Sequence, residues 1–144
     1  QGVARVRTTL NTFLQLPQGP GVSGVIGHQG WFYHFLDMKT GMRHLPYNPE
    51  LSSIDTALLL AGILDAKQYF DGASAEEAEI RNRADAIFHR VDWNWMARGS
   101  NVFSMGWQPG AGFLTHQVLA GAAVVILIVV PLRDASADCQ DGQQ

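Results

Sequence analysis

A chain of 144 residues with a 47% hydrophobic fraction is long enough for one compact domain or for a piece of a larger one. Its charged fraction is 16% and its net charge −3, and the aromatics are not interleaved with Lys or Arg, which argues against a nucleic-acid surface. Cys139 is the only cysteine and there is no HExxH motif, so a disulfide framework is excluded and a metal site is not expected.

The chain starts at Gln1 and enters an apolar-periodic pattern at once, as expected of a fragment whose true N-terminus lies upstream. Val3, Val6, Leu10, Phe13 and Leu14 recur at helical spacing, and Pro17 stops the helix. Residues 18–30 are glycine-rich and predict a loop. Residues 31–36 are aromatic and suit a short strand; a turn at Met38-Lys39-Thr40-Gly41 would return it through residues 42–45. Pro46 and Pro49 bracket another loop. Ser52 or Ser53 caps a long helix to about Phe70, so apolar between Ile54 and Leu64 that burial on several sides is expected. Ser74 and Glu77 form a capping box for a helix over residues 75–91. Asp92 to Met96 holds Trp93 and Trp95, and residues 101–107 with Phe113 and Leu114 predict a second hairpin. The fold class is mainly α, with short hairpins at one end.

Candidate chemistry gathers around two stretches, Gly30 to Asp37 and Glu50 to Thr56. Aromatic faces stack on sugar rings, and paired carboxylates break glycosidic bonds. Asp37, Glu50 and Asp55 are the candidate catalytic acids. Asp37 also suits a turn, and Asp55 also suits a capping box with Ser52, where the helix dipole favours an anion. In a strand, Trp31, Tyr33 and Phe35 share one face and Phe32, His34 and Leu36 the other. His34, Trp31, Tyr33, Trp95 and Trp107 are candidate substrate-binding residues, each with core packing as the competing role. Trp107, close to Pro109-Gly110, is the best platform candidate. Arg43 and Arg98 suit solvated surface positions better than sugar contacts. His28, His44 and His89 show no ligand spacing.

The stretches GWFYHFLDMKTGMRH (30–44), ELSSIDTALLLAGILDAKQYFD (50–71), EIRNRADAIFHRVDWNWM (79–96) and MGWQPGAGFL (105–114) resemble the glucoamylase-like family. That family includes bacterial endo-β-1,2-glucanases and the central domain of cyclic β-1,2-glucan synthases. The resemblance implies a partial (α/α)6 barrel with a sugar cleft at the hairpin end. It implies a β-glucan ligand, no cofactor, and a periplasmic or secreted bacterial setting. It ends at Leu114, giving a division into 1–114 and a divergent 115–144. Residues 118–132 carry no charge and fall short of the roughly 20 residues that span a bilayer. A membrane partner is not expected. The family's further acid would lie in this stretch, which supplies none.

The leading expectation is a fragment of a glycoside hydrolase that acts on β-glucan, β-1,2-linked by the resemblance, through acid/base hydrolysis, and is impaired for want of a second carboxyl. The alternative is a carbohydrate-binding or chain-length-controlling module of a larger β-glucan synthase. A third reading, a decayed gene product, predicts that the chain does not fold alone.

Overall fold

The computed structural model describes residues 1–119. Ala120 onward, including most of the uncharged stretch and Cys139, lies outside them. The fold is mainly helical with short strands. Helix α1 spans Gly2–Gln15, α2 Ser53–Tyr69, α3 Ala75–His89 and α4 Trp93–Ala97. Strands are β1 Gly27–His28, β2 Trp31–Phe32, β3 Leu51–Ser52, β4 Val102–Ser104, β5 Gly106–Gln108, β6 Gly112–Phe113 and β7 Gln117–Leu119.

The helices begin where short polar side chains satisfy their free amides. Ser52 Oγ accepts from Asp55 N at 3.1 Å to start α2, and Ser74 Oγ accepts from Glu77 N at 3.2 Å to start α3. Asp92 Oδ1 does the same for Trp95 N and α4. Helix α3 is the central one, packed against both α1 and α2. It buries Ile80, Ala84 and Ile87. Arg90, just beyond its end, donates to the carbonyls of Phe13 and Leu14 and closes the last turn of α1. Arg7 and Arg83 both pair with Glu79, and Lys67 reaches Asp85 at 3.0 Å.

Helix α2 departs from expectation. It buries Ser53, Thr56, Ala57, Leu60, Ile63 and Leu64, one face at helical spacing. Ile54 and Leu58 stand exposed. The reason is that α3 is its main helical neighbour among the described residues, so one side of an apolar helix is covered and the other is not.

The strands are shorter and paired differently than the sequence predicts. The glycine-rich stretch contains β1, which pairs antiparallel with β2 through a two-residue turn. Gln29 and Gly30 both have positive φ, 53° and 81°, as a tight hairpin of this hand requires. A Cβ on Gly30 would also lie 2.4 Å from the Arg90 carbonyl oxygen. The predicted pairing of residues 31–36 with 42–45 survives as one bridge, Leu36 to Arg43. The predicted strand 101–107 breaks at Met105. Its first half, β4, pairs with β7; its second half, β5, sits between β3 and β6. Met105 is held at this corner because its carbonyl accepts from both Ser53 N and Ser53 Oγ, at the start of α2.

The core joins the helices to this strand end: Leu10, Ile26, Trp31, Phe32, Tyr33, Leu51, Leu60, Ile80, Ile87, Met96 and Phe103 are all buried. Phe32 N donates to the buried Thr56 Oγ1 at 3.1 Å, which fixes β2 to α2.

Candidate functional site

A cleft opens where three backbone segments meet. Tyr33 bridges to Leu51, and His34 N donates to Glu50 O at 2.9 Å, so residues 34 and 50 are neighbours by backbone geometry alone. Two residues later Ser52 turns from extended backbone into α2. That turn brings Asp55, in the first helical turn, back over the same surface. The result is an imidazole with a carboxylate at each nitrogen. His34 Nδ1 lies 3.2 Å from Glu50 Oε1, and His34 Nε2 lies 3.5 Å from Asp55 Oδ2.

The cleft has a volume of about 530 Å³ and is lined by His34, Glu50, Ser52, Ile54, Asp55, Met105, Leu114 and His116. Its carboxylates keep contact with water: the Glu50 side chain is 30% exposed and that of Asp55 44%. Ser52 Oγ donates to Asp55 Oδ2 while accepting from the Asp55 amide. The helix N-terminus adds its positive end to the same carboxylate. A Cβ on Gly106 would sit 2.8 Å from Glu50 Cγ and 2.3 Å from Leu51 O, so the bare glycine lets β5 close against β3 beside Glu50.

This arrangement presents charged acceptors and a ring that donates from one nitrogen when neutral and from two when protonated. Such groups suit the alternating donors and acceptors of a polyhydroxylated ligand. Among the described residues no cluster of His, Cys, Asp or Glu has the makings of a metal site. No described helix is long and apolar enough to cross a membrane.

The candidate residues therefore separate. Glu50, His34 and Asp55 come together. Asp37 does not join them. Its Oδ1 accepts from Lys39 N, Thr40 N and Thr40 Oγ1, closing the 37–42 turn. Those bonds, first that from Thr40 N, hold its carboxyl below the usual range.

Trp31 and Tyr33 are corrections. Trp31 is fully buried; its Nε1 donates to Asp92 O at 2.9 Å, and its ring packs edge-on to Trp93 and Phe103. Tyr33 is 3% exposed beneath the Arg43 guanidinium, which lies 4.7 Å from its ring centre. Neither ring offers a face to a ligand, because Trp93 and Phe103 enclose Trp31 and the Arg43 guanidinium covers Tyr33. Trp107 lies in β5, opposite Leu51 and Phe113, one residue before the turn that joins β5 to β6. By strand alternation it shares the face of Leu51 and points away from that of Ser52. With Trp95, His28 and Phe113 it forms a half-buried aromatic cluster, with ring separations of 4.8–5.6 Å. Burial in that cluster pushes the His28 imidazole below its ordinary value of 6.5.

Arg43 is a second correction of kind. It is buried, not solvated. Its guanidinium donates to Pro49 O, Val22 O and Asn48 Oδ1 and so fixes the Pro-bracketed loop. His116 was not foreseen as a cleft residue. It sits two residues past Leu114, and the pairing of β7 with β4, extended by the bond from Met105 N to His116 O, brings it there.

No family model matches the chain. An exo β-1,2-glucooligosaccharide sophorohydrolase from Parabacteroides distasonis is 28% identical over 93 residues, which cover 61% of this chain and 13% of that protein. A glucoamylase-type structure from Bacteroides uniformis superposes with a TM-score of 0.64 at 22% identity, over 78% of this chain and 26% of its own. An endo-β-1,2-glucanase from Chitinophaga pinensis, solved with sophorotriose and glucose, gives 0.63 at 21%, over 78% of this chain and 25% of its own. The chain resembles glucoamylase-like proteins and β-1,2-glucanases. It spans an eighth to a quarter of the length of those relatives.

Proposed function

We propose that this chain carries the sugar-holding part of a glycoside hydrolase acting on β-glucan, with the β-1,2 linkage as its substrate class. The observation that carries the reading is His34 set between Glu50 and Asp55 in an open cleft at the strand–helix corner. The relatives named for β-1,2-glucan support the substrate class. We also propose that α1, α2 and α3 are part of an (α/α)6 barrel whose remaining helices cover the exposed side of α2.

In such a hydrolase water attacks the anomeric carbon. One carboxyl protonates the leaving oxygen while another takes a proton from water. Asp55, held by Ser52 and the α2 N-terminus, suits the anionic role of base or hydroxyl ligand. Glu50 faces it across the imidazole. The family resemblance implies a further acid in the stretch after Leu114, and residues 118–132 supply none. On this reading the acid pair is incomplete, and the chain by itself binds glucan and turns it over slowly or not at all. The alternative, a chain-length-controlling module of a larger synthase, differs in releasing no reducing sugar even as the full-length protein.

The test is calorimetric titration of the 144-residue chain with linear β-1,2-glucan, with released reducing sugar measured on the same samples. Saturable binding with little or no product is expected. Glu50→Gln and Asp55→Asn should each weaken binding on the order of tenfold, the scale of one hydrogen bond to a charged group. No binding, or binding indifferent to both substitutions, overturns the reading. Rapid product formation abolished by Asp55→Asn puts the full acid pair within the chain and overturns the claim of impairment.

A further inference from the structure

Beside the cleft lies a second, open hollow of about 340 Å³, lined by Phe35, Leu36, Asp37, Met38, Lys39, His44 and Tyr47. Its aromatic rings are unusually exposed for their size. Tyr47 is 68% exposed and Phe35 46%, whereas large rings elsewhere in the same stretch of chain are buried. The exposure is enforced by rigid backbone. Tyr47 ends a 3₁₀ turn, Leu45–Tyr47, with Pro46 inside it, closed by bonds from Tyr47 N to His44 O and Asn48 N to Leu45 O. The buried Arg43 clamps the far side of that turn through Asn48 and Pro49. Edge contacts with Phe35 at 5.4 Å and His44 at 4.7 Å hold the Tyr47 ring in place.

The polar groups of the hollow retain capacity. Asp37 spends Oδ1 on its turn, but Oδ2 lies 3.7 Å from His44 Nδ1, beyond direct hydrogen-bond reach. A carboxylate oxygen and an imidazole thus stand beside an exposed aromatic face. The hollow is also joined to the cleft. The Phe35 ring stacks on His34 with centres 4.3 Å apart and planes within 10°. His34 faces the carboxylates of the cleft, and Phe35 lines the hollow.

We infer that the hollow is a second sugar subsite, binding a pyranose ring of the same glucan chain that occupies the Glu50–His34–Asp55 cleft. Tyr47 supplies the stacking face, and Asp37 Oδ2 and His44 bond ring hydroxyls. The inference rests on the saccharide reading of the cleft. It goes further in making affinity depend on chain length, because a short sugar fills the cleft alone and a longer one reaches Tyr47.

The experiment compares binding of the β-1,2-linked disaccharide and of longer linear β-1,2-gluco-oligosaccharides to the whole chain, Tyr47→Ala and Tyr47→Phe. The wild-type chain should bind the longer sugars more tightly. Tyr47→Ala should weaken their binding roughly three- to tenfold, the range of one aromatic contact, and leave the disaccharide unchanged. Tyr47→Phe should keep the advantage of length, and the thermal midpoint should not move. In the wild-type chain the Tyr47 ring resonances should shift with the longer sugars and not with the disaccharide. Disaccharide binding with no advantage of length, an advantage that survives Tyr47→Ala, or Tyr47 resonances unmoved by the longer sugars overturns the subsite and leaves the cleft standing. Absence of binding by both sugars overturns the two together.

Discussion

The stretch Trp31 to Asp37 divides sharply in the middle. Trp31, Phe32 and Tyr33 are buried; His34, Phe35 and Asp37 reach the surface. Both halves are aromatic and both were candidates for a sugar site. The first half pairs with β1 and is covered by α2 and by Trp93 and Phe103. The second half leaves the sheet and is fixed by one bridge, Leu36 to Arg43, and by backbone bonds to Glu50, Met42 and His44. The difference shows that aromatic density does not mark a ligand surface. What marks it is where the backbone leaves its ladder, so that rings and carboxylates are held by a scaffold without being enclosed by it.

The division can be broken most severely at Trp31. Trp31→Ala removes a fully buried indole and the bond to Asp92 O, and should cost about 3–5 kcal/mol of stability. His34→Ala, on the exposed half, should cost less than about 1 kcal/mol. Denaturant unfolding of both variants checks the contrast, and equal losses would erase it.

A smaller effect sharpens the same comparison through pH. His28 belongs to the buried side, where burial lowers its affinity for a proton. The unfolded chain then takes up a proton that the folded chain resists, so stability falls as pH drops below 6.5. It levels off once the folded imidazole is also protonated. Asp37 belongs to the exposed side, and its turn bonds favour the carboxylate. Its contribution is complete above 3.8 and is lost as pH falls through the lower value of the folded state. Thermal midpoints across the acid range should show both declines. His28→Phe should remove the upper one and Asp37→Asn the lower one.

The local signals of the sequence were dependable. Apolar spacing and Pro17 marked α1, and Ser52, Ser74 and Glu77 marked the starts of α2 and α3 within a residue or two. The meeting of Glu50 and Asp55 was legible too, since both flank one helix start. The partner that joins them was less so. His34 reaches Glu50 through a backbone bond between residues 16 apart, and no local pattern encodes that. Strand β1 was read as loop, although β2 was read as strand, because Gln29-Gly30 is a weaker turn signal than Asn-Gly. The break at Met105 depends on a contact with Ser53, 52 residues earlier. Arg43 looked solvated because an arginine without a partner in the sequence usually is, and only the fold reveals the three carbonyl and amide acceptors around it. The exposed side of α2 was hidden by its composition, which is apolar on every side and so names no face.

The most direct test of the account is to follow the histidine ring resonances of the chain while linear β-1,2-gluco-oligosaccharide is added. The account predicts that the His34 signals move in a saturable way and that those of His89, on α3, stay fixed. Movement confined to His28, in the Trp95–Trp107 cluster, with His34 unmoved, would put the sugar on the aromatic cluster and contradict the assignment of the Glu50–His34–Asp55 cleft.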